Sequence, residues 1–126
     1  MTALNQLFLL LILFQFKHFV ADGPLQTKAM VDEKSRYGAT LGIVHAGIHG
    51  ILTIVVVMLV LHGWVWAVVL GLIDFAIHYH VDYVKERLVK YWGFTPADGP
   101  FWWALSADQM MHHLTYIGLA ALAAAA

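Results

Sequence analysis

The chain has 126 residues, of which 61% are hydrophobic and only 12% charged, with a mean hydropathy of +0.73 and a formal net charge of -1. That composition is too apolar for a soluble domain with a water-facing surface, and the near-neutral charge excludes an electrostatic nucleic-acid footprint. The absence of cysteine excludes thiolate zinc sites, iron–sulfur clusters and disulfide staples, so imidazole and carboxylate are the strong metal ligands that remain.

In chain order, an apolar stretch from about residue 2 to 22 ends at Asp22-Gly23-Pro24, where glycine and proline break a helix. No basic residue precedes it and its far end carries Lys17, His18 and Asp22, so it is expected to be a retained span rather than a cleaved signal peptide. A polar loop over 26–37 leads to a second span over 38–61, and His62-Gly63 forms a tight link. Trp64 and Trp66 fit an interfacial anchor for a third span over 64–84, which continues into a helical turn or two at Lys85–Trp92. Residues 95–100 read as a loop and Phe101-Trp102-Trp103 as a second aromatic anchor. A fourth span covers about 104–125, with Ser106-Ala107-Asp108-Gln109 as a capping box that marks one possible start. The expected fold is therefore an all-α integral membrane domain, a bundle of four transmembrane helices. All seven Lys and Arg residues lie in or beside the first and third loops, so the positive-inside rule places those loops in the cytoplasm and both termini on the extracytoplasmic side.

Each span carries a polar stripe at i, i+4: His18/Asp22, His45/His49, Asp74/His78 with Asp82 a turn further, and Asp108/His112. That spacing stacks side chains on one helical face. With the topology above, all four stripes reach one depth, near the cytoplasmic side. Ionisable groups within a span are costly and face the interior, so their coincidence points to one shared site, against the alternative of inert interhelical hydrogen bonding. His62, His80 and His113 lie off the stripes and read as structural, and the small residues Gly38/Gly42 and Ala46/Gly50 read as close helix packing.

Five histidines and four aspartates make up the stripes. Four buried carboxylates require a compensating cation. One divalent ion balances two of them and two ions balance all four; imidazole with carboxylate suits zinc first, then manganese or ferrous iron. An open coordination position on such an ion is what hydrolytic chemistry needs.

The segments His18-Phe19-Val20-Ala21-Asp22-Gly23-Pro24-Leu25-Gln26, His45-Ala46-Gly47-Ile48-His49, Asp74 through Lys85, and Asp108-Gln109-Met110-Met111-His112 resemble a bacterial and phage membrane family catalogued as a domain of unknown function, family three-three-zero-seven. The resemblance covers nearly the whole chain. Gly23 departs from it, since the family has an aromatic residue after the first Asp. A more distant similarity is to inner-membrane metal-dependent hydrolases, which set His and Asp near one face of the bilayer.

The first family supplies no activity and the second similarity favours hydrolysis; with the topology and the His/Asp stripes, the expected function is a metal-dependent hydrolase acting on a phosphate ester or lipid-like substrate at the cytoplasmic leaflet of a bacterial plasma membrane. In that reading His18, Asp22, His45, His49, Asp74, His78 and His112 are the metal-ligand candidates. Asp82 and Asp108 serve as general bases or behind the ligands, Gln26 and Gln109 orient substrate, and Lys28 or Lys85 holds a phosphate. Two other readings are ion, proton or metal transport along the His/Asp chain, and an accessory cofactor-holding subunit. The outer halves of the spans contain no charged residue to carry an ion through, and carboxylates beside every histidine leave no apolar haem slot. A homo-oligomer or a larger membrane complex is compatible with any of the three.

Overall fold

The computed structural model describes residues 1–126, and the chain is helical with no strand. Five helices follow one another: α1 Ala3–Asp22, α2 Lys28–Glu33, α3 Thr40–Leu61, α4 Trp64–Trp92 and α5 Gly99–Ala125. Thr2 caps α1, its hydroxyl accepting from the Asn5 N–H at 3.2 Å, and Gly23-Pro24 stops the helix. His62 closes α3 in the left-handed region at φ 58, and only Gly63 separates it from α4. The end of α4 is a Schellman closure: Gly93 takes φ 67 and the Phe94 N–H donates to the Val89 carbonyl at 3.0 Å.

Two local expectations are corrected. The segment 26–37 is not wholly loop, because Thr27 accepts from the Met30 N–H at 3.2 Å and starts the short α2. The capping box at Ser106 is not used. α5 begins at Gly99 with Pro100 in its first turn, where proline's missing N–H costs nothing, and Trp102 Nε1 ties that turn to the Pro96 carbonyl at 2.8 Å.

α1, α3 and α4 are long and apolar enough to cross a membrane. α5 has the length, at 27 residues, but Asp108, Gln109, His112 and His113 interrupt it, and it is not among the helices apolar enough to cross. The four long helices close a ring in which α1 packs on α3 and α5, and α4 on α3 and α5. The two ends of the ring differ. One is an apolar core that includes Leu10, Phe14, Val57, Leu70 and Leu119; the other holds the buried His and Asp residues.

At one crossing the helices nearly touch. A Cβ on Gly71 would stand 2.8 Å from the Gly50 carbonyl oxygen and 2.4 Å from Ile54 Cγ1, so α3 and α4 approach backbone to backbone. Gly71→Ala is expected to lower stability by about 1–3 kcal/mol, the usual cost of overpacking. Gly47→Ala meets nothing within 4 Å and is expected to be neutral or stabilising by up to roughly 1 kcal/mol, since alanine is the better helix former. Denaturant unfolding in detergent checks both; equal effects would contradict the close crossing.

Candidate metal centre

All four stripes converge at the polar end of the ring. α1 contributes His18 and Asp22, α3 His45 and His49, α4 Asp74, His78 and Asp82, and α5 Asp108 and His112. Every one is buried except Asp22, whose side chain keeps 21% of its exposure and so connects the cluster to solvent. The imidazoles of His49, His78 and His112 stack across three helices, with centroids 3.5 Å apart for the first two and 3.9 Å for the last two.

One group of donors meets at a point. His45 Nε2 lies 3.2 Å from Asp22 Oδ1 and 3.4 Å from Asp82 Oδ2. His78 Nε2 lies 3.3 Å from Asp82 Oδ2 and 4.0 Å from Asp22 Oδ1. Yet neither nitrogen of His45 or His78 forms a hydrogen bond, and neither does Asp82 Oδ2. Close approach without hydrogen-bond geometry means that these atoms face a common space rather than one another. Four donors at about 2.0–2.2 Å from a tetrahedral ion would stand roughly 3.3–3.6 Å apart; His45 Nε2 and Asp22 Oδ1 at 3.2 Å fit that spacing, while His49 Nε2 donates to Asp22 Oδ1 at 2.7 Å and His78 Nε2 stands 4.0 Å from it. Asp22, His45, His49 and His78 each offer one ligand atom, all within 4.8 Å of one another; His78, Asp82 and His112 form a second such group. The buried imidazole and carboxylate donors could therefore hold a metal ion.

The remaining sequence candidates fall elsewhere in the cluster. Asp74 is not in either group: its Oδ2 accepts from Lys17 Nζ and from the Thr53 hydroxyl, both at 2.6 Å. His18 spends both nitrogens on neighbours. Gln109 Oε1 can only accept, so His18 Nε2 donates to it at 2.8 Å and Nδ1 accepts from the Tyr116 hydroxyl at 2.6 Å. Asp108 backs His112 at 3.2 Å, and Asp82 stands among the ligand atoms themselves rather than behind them. Gln26 accepts from Lys34 Nζ at 2.7 Å and donates to the Asp22 carbonyl at 3.0 Å, while Gln109 also donates to Asp108 at 3.1 Å. Lys28 is remote from the centre, its side chain 87% exposed and paired with Asp32. Lys85 pairs with Glu86 and lines an apolar groove between α4 and α5, with Asp108 on the α5 wall.

Four participants were not expected from the sequence. Lys17, counted there as a topology signal, is buried at 4% exposure; its ammonium contacts Asp74, reaches His49 Nδ1 at 3.1 Å and sits 4.4 Å above the Tyr116 ring. Lys34, also counted as a loop charge, is buried at 8% and lies 2.9 Å from Asp82 Oδ2. Thr53 and Tyr116 each extend a stripe by one turn, as 45/49/53 and 108/112/116. Continuing the i, i+4 count would have found both; no local pattern marks the two lysines as internal.

His62 and His80 keep structural roles. His62 caps α3, and His80 joins the Tyr37 hydroxyl at 2.9 Å to the Ala76 carbonyl. His113 packs at the rim, its ring centroid 5.2 Å from that of His18.

A family model described as "Protein of unknown function (DUF3307)" matches residues 7–125. The chain belongs to this family. Comparison with curated proteins and with solved structures found no match in either. The DUF3307 match spans all the polar stripes, from His18 to His112, so the converging donors lie within the family domain.

Proposed function

We propose that this DUF3307 chain is a membrane-embedded, one-metal hydrolase acting on a phosphate ester or lipid-like substrate at the cytoplasmic leaflet of a bacterial plasma membrane. The observation that carries the metal is the set of buried donor atoms, His45 Nε2, His78 Nε2 and Asp82 Oδ2, that approach Asp22 or each other without hydrogen bonding. Charge supports a single ion. Four carboxylates, Asp22, Asp74, Asp82 and Asp108, face two buried ammonium groups, Lys17 and Lys34, with contacts at 2.6 and 2.9 Å to Asp74 and Asp82. Two formal negative charges are left between the carboxylates and the ammonium groups, which one divalent cation balances.

Asp22, His45, His49 and His78 would hold the ion. A bound divalent ion polarises a phosphoryl oxygen and acidifies a water to a nucleophile near neutral pH. The chain's own residues complete the site. Asp22 is its solvent-reachable member, Asp82 and Asp108 are carboxylates placed to accept a proton through His112, and Gln109 fixes His18 beside the opening. In this reading all four long helices cross the bilayer with both termini outside, since Lys28, Arg36, Lys85, Arg87 and Lys90 still flank the polar end. The apolar core around Phe14, Val57 and Leu70 seals the opposite half, which argues against transport.

The test uses purified protein in detergent with bis(p-nitrophenyl) phosphate and a short-chain phosphatidic acid as probes. Zinc- or manganese-dependent release of product, lost in Asp22→Asn, is expected. Metal-loaded wild-type protein that hydrolyses neither probe but releases metal across liposomes would replace the hydrolase by a transporter.

A further inference from the structure

The second donor group, His78, Asp82 and His112, already contains a cation. Lys34 leaves the end of α2, where α2 rests against Gly42 of α3, and carries its ammonium to 2.9 Å from Asp82 Oδ2. Gln26 Oε1 accepts from the same Nζ at 2.7 Å and holds it there. The ammonium does not meet Asp82 Oδ2 in hydrogen-bond geometry, so that oxygen keeps its lone pairs unspent although its side chain is only 6% exposed. Around it, His112 Nε2 lies 3.0 Å from Asp82 Oδ1 and 3.2 Å from Asp108 Oδ1, and this second carboxylate oxygen is likewise buried and unpartnered.

We infer that His78, Asp82 and His112, with Asp108, form a second divalent-cation position in which the Lys34 ammonium stands in for the ion. The inference rests on the metal reading of the Asp22/His45/His49/His78 group and adds a nuclearity to it. Ammonium and a divalent ion both answer the charge of Asp82, but the Lys34 ammonium spends its contacts on Asp82 and Gln26, whereas an ion at this position would also bind the imidazole nitrogens of His78 and His112. His78 Nε2 can serve one ion at a time. With both positions filled, Asp22, His45 and His49 still give the first ion three donors, and Asp82, His112 and Asp108 give the second three. Removing Lys34 raises the uncompensated charge of the cluster from two to three, so one divalent ion leaves a negative charge over, and the Asp82 oxygens are freed for a second ion. The α2 segment is thus a tethered cation that keeps the site mononuclear while it is seated.

Metal content by mass spectrometry of the folded protein, after equilibration with zinc alone, is the test. Wild type and Lys34→Arg are expected to hold one zinc per chain, and Lys34→Ala and Lys34→Met two; His112→Ala added to Lys34→Met returns the count to one. One zinc or none in both uncharged variants overturns the inference, as does their failure to fold even in zinc, because an ion that replaces the lysine must also replace its charge. Two zinc ions in wild type with Lys34 still protected from amine acylation would overturn it as well. Absence of zinc from wild type would sink the first site instead, so the two failures are distinguishable.

Discussion

Lys17→Met is expected to destabilise the protein by about 3–5 kcal/mol, the cost of leaving one member of a buried ion pair alone. Lys17 Nζ has three hydrogen-bonding partners in reach: Asp74 Oδ2 at 2.6 Å, His49 Nδ1 at 3.1 Å and the His49 carbonyl at 3.4 Å. Asp74 is 1% exposed, so water cannot take over the lost charge. Thr53 alone would remain to donate to it. Asp74→Asn should be costly for the converse reason, since it strands a buried ammonium. The double variant Lys17→Met/Asp74→Asn removes both charges and keeps the volume, and is expected to recover more than half of the summed loss. Denaturant unfolding of the four proteins in one detergent gives the coupling. Strictly additive losses would show that the pair is not a unit and would remove one of the two internal cations from the charge balance.

His45→Ala is expected to abolish most of the stabilisation that zinc confers. His45 is fully buried, neither ring nitrogen meets a partner in hydrogen-bond geometry, and its nearest polar neighbours are Asp22 Oδ1 at 3.2 Å and Asp82 Oδ2 at 3.4 Å. A divalent ion at a hundredfold excess over its Kd stabilises the folded state by about 2.7 kcal/mol. Loss of one of four ligands weakens binding by about 2.5–4 kcal/mol, roughly a hundredfold or more. At the same zinc concentration the gain then falls to about 0.5 kcal/mol or less. His80→Ala is the matched control: its ring bonds Tyr37 and the Ala76 carbonyl, away from the donors, and the zinc-dependent gain should stay intact. Equal zinc responses in wild type and His45→Ala would contradict the assignment of the donor group.

The four stripes were legible because helical periodicity is a local property. Residues at i, i+4 share a face whatever the rest of the chain does, and the breaks at Gly23-Pro24 and His62-Gly63 mark the helix ends equally locally. What could not be read was which buried carboxylate meets which cation. Asp74 and Asp82 look alike on the α4 stripe, two turns apart, yet one is held by Lys17 from α1 and the other by Lys34 beyond α2. Those pairings span 57 residues in the first case and 48 in the second, and are decided by how the ring closes. The sequence reading therefore assigned all compensation to metal. The structure divides it between two lysines and the space that His45 and His78 face. The missed start of α5 has a different origin. Ser106 has the residue pattern of a cap, but Pro100 and the Trp102 contact extend the helix past it, a tertiary override of a local signal.

The most direct test of the central claim is the metal content of the chain purified without chelator. The account predicts one divalent ion per folded chain in wild type, none in His78→Ala, and one retained in Lys17→Met/Asp74→Asn, where the residual charge of the cluster is unchanged. A folded wild-type chain with no stoichiometric metal, unable to take up zinc or manganese on titration, would contradict it.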